Sequence, residues 1–408
     1  MNILHVINRF SFEAGGPARA VTDLAEAMTA RGHGVGVASY THDATPEHWN
    51  ADKAPHTVKL PEPDLAAGFL SKPQARSLRS VVQRYDVVHL HGVWDPVLLQ
   101  FARIAERVNR PWIVSVRGML DDWCMSQRTL KKRFFLLFGG SRTLNRAARV
   151  HLTADAERDQ AKKYFRRAES VVIPNLLNLE PFRRLPPADL ARRSFDAFGH
   201  GEPVVLFLSR VHYKKGIEHL IRSVRSVLDA GRPHRVVIAG TGDHDYAAAM
   251  QKLAADEGVA DRVSFVGQVT GELKLSLYRA ADLFVLPTSQ ENFGFVFFEA
   301  LASGLPLITT TGVDTWPALE RSGGAEIVGL DPSGRADGSA LIAKMTKMLS
   351  DADSLARRGE AGRAWVFEEM SADRLGDRFE ELYQRAVSGG PGSGGPVSGG
   401  AVSEGGPP

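Results

Sequence analysis

Residues 204–228 read VVLFLSRVHYKKGIEHLIRSVRSVL. The five apolar residues Val204 to Leu208 suit a strand buried on both faces. A basic turn follows, Ser209-Arg210-Val211-His212-Tyr213-Lys214-Lys215-Gly216, and then Ile217, Leu220, Ile221, Val224 and Leu228 recur on one helical face. This is one strand–helix unit, and its rhythm continues in both directions. Towards the C-terminus, strands are predicted at Val236–Ile238, Val263–Val266, Leu283–Leu286 and Leu305–Thr309. Towards the N-terminus, they are predicted at Ile3–Ile7, Val35–Tyr40, Val87–Leu90, Trp112–Val116, Val150–Thr153 and Val171–Ile173. Continuous apolar strands separated by helices imply parallel sheets and an α/β fold class.

The chain has 408 residues, more than the ~250–300 at which a single core stops growing, so two domains are expected. Polar and Pro-rich segments interrupt the rhythm from Pro174 to Pro203, which places the linker near Leu179–Pro187. The expected division is 1–180 and 181–370, then a helix over 371–387 returning to the first domain, and a disordered Gly/Pro tail over 388–408. A formal charge of +3 is too mild to imply nucleic acid. The single cysteine, Cys124, excludes an intrachain disulfide and a cysteine-rich zinc site. No apolar run nears the ~20 residues of a membrane helix and no secretory leader opens the chain, so a cytoplasmic protein is expected, soluble or lying on a surface.

Two tandem α/β domains imply a cleft, and such sheets bind ligands beyond the carboxyl ends of their strands. Two stretches fall there. The first, Ser289-Gln290-Glu291-Asn292-Phe293-Gly294-Phe295-Val296-Phe297-Phe298-Glu299-Ala300-Leu301-Ala302-Ser303-Gly304, runs from a strand into a helix, with Glu291 on the loop and Glu299 inside the helix. The free N–H groups of a helix start can hold phosphate or hydroxyls. A carboxylate such as Glu299 can accept bonds from adjacent ribose hydroxyls, and unpaired among Phe297, Phe298 and Leu301 it would be expensive. The second stretch is the basic turn, whose Arg210 and Lys215 suit a diphosphate leaving group.

With Gly15-Gly16 near the N-terminus, these stretches resemble the retaining glycosyltransferases of the GT-B fold, family 4 type, in particular a bacterial polysaccharide-assembly subset. The resemblance runs from Met1 to about Val387 and rests on Glu291 and Glu299 with seven residues between them, followed by Ala300-Leu301-Ala302-Ser303-Gly304-Leu305-Pro306. It implies two Rossmann-like βαβ domains facing each other across a cleft. It also implies retaining transfer of a hexose from a UDP- or GDP-sugar, with no metal or other cofactor. On this resemblance Glu291 holds a donor-sugar hydroxyl, and Asn292, Phe293, Gly294 and Phe295 offer backbone amides. Glu299 binds the ribose, Arg210 and Lys215 the diphosphate, and Gly15 and Gly16 close over it. The base sits near Gly267 and Val269. The expected catalytic set is Arg210, Lys215, Glu291 and His91.

The sequence departs from the family at Arg117-Gly118, where many members carry a histidine. An arginine there can bind phosphate or a sugar hydroxyl but cannot act as a general base near neutrality. In His89-Leu90-His91-Gly92-Val93-Trp94-Asp95, His91 is the histidine expected to face the cleft and His89 the core one. Arg117, Trp94 and Asp95 are acceptor-side candidates. Asp243-His244-Asp245 reads as a solvated turn rather than a metal site.

Charge is concentrated between Ala102 and Ser170, with 16 Lys or Arg against 7 Asp or Glu. Lys131, Lys132, Arg133 and Phe134 open a helix that either packs its apolar face on the sheet or docks on an anionic membrane. The docking reading makes the protein peripheral on the inner face of the cell membrane. Its acceptor is then a glycan carried on a lipid, with polyprenyl diphosphate the candidate carrier, in exopolysaccharide or envelope assembly. The alternatives are a soluble sugar or natural-product acceptor, and a non-catalytic sugar-nucleotide-binding or scaffold protein.

Overall fold

The computed structural model describes residues 1–11, 15–51, 53–63 and 68–389. Seven strands form the first sheet: β1 (Asn2–Ile7), β2 (Gly34–Ser39), β3 (His56–Lys59), β4 (Val87–His91), β5 (Trp112–Ser115), β6 (Arg149–Leu152) and β7 (Ser170–Val172). All pair in parallel in the order β3-β2-β1-β4-β5-β6-β7. Six form the second: β8 (Val204–Leu208), β9 (Arg235–Ala239), β10 (Val263–Gly267), β11 (Leu283–Val285), β12 (Leu307–Thr310) and β13 (Ala325–Val328). They too are parallel, in the order β10-β9-β8-β11-β12-β13. Helices flank each sheet, giving two Rossmann-like domains of the GT-B type that face each other across a cleft.

β3 and β13 lie outside the strands expected from hydrophobic runs. Both are edge strands, and β3 (His-Thr-Val-Lys) has no fully buried position, so its letters carry no apolar run. β13 (Ala-Glu-Ile-Val) is short and keeps Glu326 and Ile327 half-buried. The expected strand at Leu305–Thr309 is seen at Leu307–Thr310, because Pro306 contributes only a carbonyl, which accepts from Phe284 N–H at 2.9 Å.

Each sheet reverses its strand order once, between β1 and β4 and between β8 and β11. At such a point the loops leaving the two central strands diverge and open a crevice. The segment joining the domains holds the short helices Glu180–Arg183 and Asp189–Ser194. It is strapped to the second domain by Ser276 Oγ donating to Pro187 O at 2.6 Å and by Arg363 donating to Phe182 O at 2.9 Å.

The last helix, Ala372–Gly389, packs on the first domain. Arg31 forms ion pairs with Asp377 and Glu380, and Tyr383 OH lies 2.8 Å from His89 Nδ1. Phe379 is buried, with its ring 5.2 Å from that of His151. The helix runs two residues into the expected tail, and the remainder of that tail, 390–408, lies outside the described residues. Because Phe379 fills first-domain core, Phe379→Ala should cost about 3–5 kcal/mol in denaturant unfolding. A cost under about 1 kcal/mol would show that the helix is not part of that core.

Candidate active site

The carboxyl ends of both sheets border a cavity of about 500 Å³ between the domains. Gly15, Gly16, Pro17, Arg117 and Asn175 form the first-domain wall. Opposite stand Ser209 and Arg210 after β8, Gly240 and Thr241 after β9, Gln268 and Val269 after β10, and Glu291 to Val296 after β11.

The β8 and β11 loops are built against each other. Gly216 has φ +70°, and a Cβ there would lie 2.2 Å from Pro287 O, so only glycine allows the two backbones to touch. Ser289 N–H donates to Lys214 O at 2.8 Å, and Lys215, buried in the turn, forms an ion pair with Glu291. The Glu291 backbone is fixed by Gly312 O and Asp314 N–H, both at 2.9 Å. Arg210 is exposed on the wall and makes no ion pair among the described residues. Gly294, with φ +70°, caps helix Phe295–Ala302 and accepts from Phe297 N–H at 3.0 Å, while Phe295 and Val296, whose N–H groups have no intrahelical acceptor, stand at the wall.

Glu299 does not line the cavity. It is 1% exposed, and its carboxylate accepts bonds from Arg19 of the first domain, Lys274 at 3.0 Å and Tyr278 OH at 2.7 Å. Burial acts to raise its pKa, but Arg19 and Lys274 dominate and hold it at about 2. Arg19 also lies over the Phe295 ring, 4.8 Å from its centroid, and so bridges the domains. Asn292 spans the same gap, with its side-chain amide 3.3 Å from Thr153 Oγ1 and donating to Asp314 at 3.1 Å.

His91 corrects an expectation, since it is buried behind Arg117 instead of facing the cleft. Its ring belongs to a network whose polarity can be assigned. Arg117 can only donate, so His91 Nδ1 is the acceptor at 2.9 Å and Nε2–H donates to His5 Nδ1 at 2.9 Å. On the other branch, Ile173 O can only accept from His151 Nε2–H at 2.8 Å. His151 Nδ1 then accepts from Ser115 Oγ, which accepts from His89 Nε2–H, leaving His89 Nδ1 to accept from Tyr383 OH. His5, His89 and His91 are close enough to hold a metal, but every lone pair of these neutral rings already accepts a hydrogen bond. Their polarity does not fit a metal site.

The other candidates fall outside the wall. Asp95 is the N-cap of helix Pro96–Arg107, accepting from Val97 N–H at 2.9 Å. Trp94 Nε1–H donates to Met119 O at 2.9 Å, and its ring packs edge-on to Phe135. Gly267 has its carbonyl bound to Gly240 N–H at 2.7 Å. Asp243 caps helix His244–Asp256. Sequence reasoning missed Asn175, Arg19, Lys274 and Tyr278, which stand singly in unremarkable stretches. Gly240 and Thr241, in the turn after β9, also line the cavity.

The basic helix, Thr129–Phe135, does not bury its apolar side. Leu130, Phe134, Leu137 and Phe138 are 72%, 58%, 77% and 70% exposed. Lys131 and Arg133 are exposed beside them, whereas Lys132 turns inward to Cys124 and the Trp94 ring.

The histidine network makes stability depend on pH. Burial, with Arg117 nearby, pushes His5 down to about 3; burial does the same for His151, and His89 and His91 fall well below the usual value. The unfolded chain takes up these protons near pH 6.5 and the folded one does not, so stability is lost as pH falls from 6.5 towards 3. Burial acts oppositely on Asp23 and Asp314, raised to about 6 and 7, which favours the folded state on acidification but involves fewer groups. Urea unfolding should therefore show at least ~1.4 kcal/mol less stability at pH 5 than at pH 7. A flat profile would contradict a neutral, buried network.

Residues 15–176 match the family model described as "Glycosyl transferase 4-like domain", and residues 191–365 match "Glycosyl transferases group 1". A D-inositol 3-phosphate glycosyltransferase of Nocardia farcinica is 30% identical over 319 residues, covering 74% of this chain and 69% of that protein. A GDP-mannose-dependent alpha-(1-6)-phosphatidylinositol monomannoside mannosyltransferase of Mycolicibacterium smegmatis is 26% identical over 365 residues, covering 85% and 87%. Among solved structures, Anabaena HepE in complex with UDP superposes with a TM-score of 0.75 at 18% identity, over 94% of this chain and 100% of that one, a likeness of fold. The cleft, the two family matches and a 30%-identical relative together place the chain in the glycosyltransferase family that joins a 4-like domain to a group 1 domain.

Proposed function

We propose that the protein is a retaining, metal-independent hexosyltransferase that takes a UDP- or GDP-sugar as donor and a lipid-linked glycan as acceptor. One observation carries this reading: Arg210, Lys215 and the first turn of helix Phe295–Ala302 converge on one wall of an interdomain cavity. That wall suits a diphosphate. The three N–H groups of the Lys215 ammonium allow it to keep Glu291 and still bond a phosphate oxygen. Glu291, held in place by Lys215, is then set to accept a sugar hydroxyl. As the bond to the leaving group breaks, negative charge grows on the diphosphate, where the cations and amides stabilise it. We assign front-face departure to this site, with the leaving phosphate taking the acceptor's proton. Glu299 takes the ribose once Arg19 moves off it, and Gln268 and Val269 border the base.

Charge and exposed apolar area together support docking on an anionic membrane. Leu130, Phe134, Leu137 and Phe138 would enter the headgroup boundary while Lys131 and Arg133 meet lipid phosphate. The phosphatidylinositol mannoside named for the mycobacterial relative is an acceptor of this lipid-linked kind. The UDP named for the HepE complex is a donor product of the proposed kind.

Four outcomes are expected. In a panel of UDP- and GDP-sugars, one base and one sugar should give enzyme-dependent hydrolysis. Arg210→Ala and Lys215→Ala should each lower kcat by about 10²-fold without unfolding the protein, and wild-type rates would remove them from the leaving-group site. Glu299→Ala should weaken nucleotide binding at least tenfold, whereas unchanged affinity would end its ribose role. Replacing Phe134, Leu137 and Phe138 with Ser should cut sedimentation with anionic vesicles while leaving donor hydrolysis intact. Equal sedimentation would favour a soluble acceptor.

A further inference from the structure

Arg117 carries a half-buried positive charge on the cavity wall, for which the described residues provide no direct counter-ion. It follows β5 with φ +54°, a left-handed conformation that is costly for a non-glycine residue. Two of its nitrogens share His91 Nδ1, with Nε at 3.3 Å and Nη2 at 2.9 Å, and Nη1 donates to Asn175 Oδ1 at 2.8 Å. Both partners are neutral, and no carboxylate among the described residues lies within 4 Å. The nearby Glu157 instead accepts bonds from Gly118 N–H, Thr153 N–H and Thr153 Oγ1. Of the five guanidinium N–H groups, two have no partner among the described residues, and the side chain lies on the cavity wall.

A cation partly withdrawn from water and held only by neutral groups gains from an anion that completes its hydrogen bonds. Burial lowers the Arg117 pKa to about 10, so the group stays charged at neutral pH. The histidine network makes the position rigid. His91 can offer Arg117 only its Nδ1 lone pair, because its other nitrogen is committed to His5. A planar guanidinium fixed in this way presents its remaining donors as a fork that matches a carboxylate or a phosphate. Arg210, Lys215 and the helix start already provide for a diphosphate on the opposite wall.

We propose that Arg117, oriented by His91 and Asn175, is a second anion-binding position in the cleft, and that one of the two sugar substrates carries a carboxylate or phosphate bound there. This rests on the donor-site reading above. Two sources supply that chemistry: the transferred sugar, as a uronate, or the acceptor, as an acidic or phosphorylated sugar. His91 and Asn175 are positioning residues in this scheme. The assignment narrows the substrate class from any hexose and glycan to a pair of which one member is anionic at the reacting end.

The test uses the full chain and substrate pairs that differ by one charge. Calorimetry first measures the affinity of wild type and Arg117→Gln for UDP and GDP. The nucleotide bound by wild type should bind both forms within about threefold. A tenfold loss in the variant would assign Arg117 to the diphosphate and overturn the proposal. Competition and turnover then compare the nucleotide hexose with its uronate, and a neutral acceptor sugar with its acidic or phosphorylated form. Wild type should prefer the charged member of one pair at least tenfold in kcat/KM, which identifies the source. Arg117→Gln should abolish that preference, while Arg117→Lys, which keeps the charge but not the fork, should retain part of it. No charge preference in either pair, or a preference that survives Arg117→Gln, overturns the proposal alone. Failure of wild type to bind either nucleotide overturns the donor-site reading as well.

Discussion

In a parallel sheet every strand ends on the same side, and this constraint shapes the site. The loops after β8, β9, β10 and β11, together with those leading to Gly15, Arg117 and Asn175, emerge at carboxyl ends, so two facing sheets bring all of them to one cavity. Residues nearly 300 positions apart thereby become neighbours without any long excursion of the chain. The reversals of strand order at β1/β4 and β8/β11 separate adjacent loops enough to leave space between them. The turn at Gly216 lets its backbone approach Pro287 O, and the cap at Gly294 leaves room for the Phe297 ring and the Glu291 side chain, so that Lys215 and Glu291 stand side by side.

The charges in the cleft are held in three different ways. Lys215 is paired with a carboxylate, Arg210 is solvated, and Arg117 rests on neutral groups. Glu299 is the inverse case, a buried anion surrounded by Arg19, Lys274 and Tyr278. Arg19 belongs to one domain and Glu299 to the other, so a nucleotide that engages Glu299 also changes what holds the domains together. The histidines behind Arg117 contribute rigidity. The hydrogen bonds form two chains, Arg117–His91–His5 and Ile173–His151–Ser115–His89–Tyr383, and in each one bond dictates the direction of the next.

Much of the fold was legible in the letters because buried parallel strands read as unbroken apolar runs. Val204–Leu208 and Val236–Ile238 are examples, and both lie in strands paired on both sides. The edge strands β3 and β13 were not legible, since burial on fewer sides removes the pattern that marks a strand. At the site, Glu291, Lys215 and Arg210 could be found because a loop directly after an apolar strand points to a carboxyl end. Which histidine faces the cleft could not be read. His89 and His91 alternate along one strand and share a face, and what covers that face is Arg117 from the next strand and Tyr383 from the distant C-terminal helix. Asn175, Arg19 and Tyr278 act through partners far away in sequence, and no local spacing records such pairings. The exposure of Phe134 and Leu137 was equally unreadable, because an amphipathic segment looks the same whether its apolar side meets a sheet or solvent.

The central claim is tested most directly by crystallising the protein with the nucleoside diphosphate it binds and locating the two phosphates. The account places them between the domains, within hydrogen-bond distance of the Arg210 guanidinium, the Lys215 ammonium and the amides at Gly294 to Val296. Phosphates bound outside that cavity, or inside it but out of reach of both cations, would contradict it.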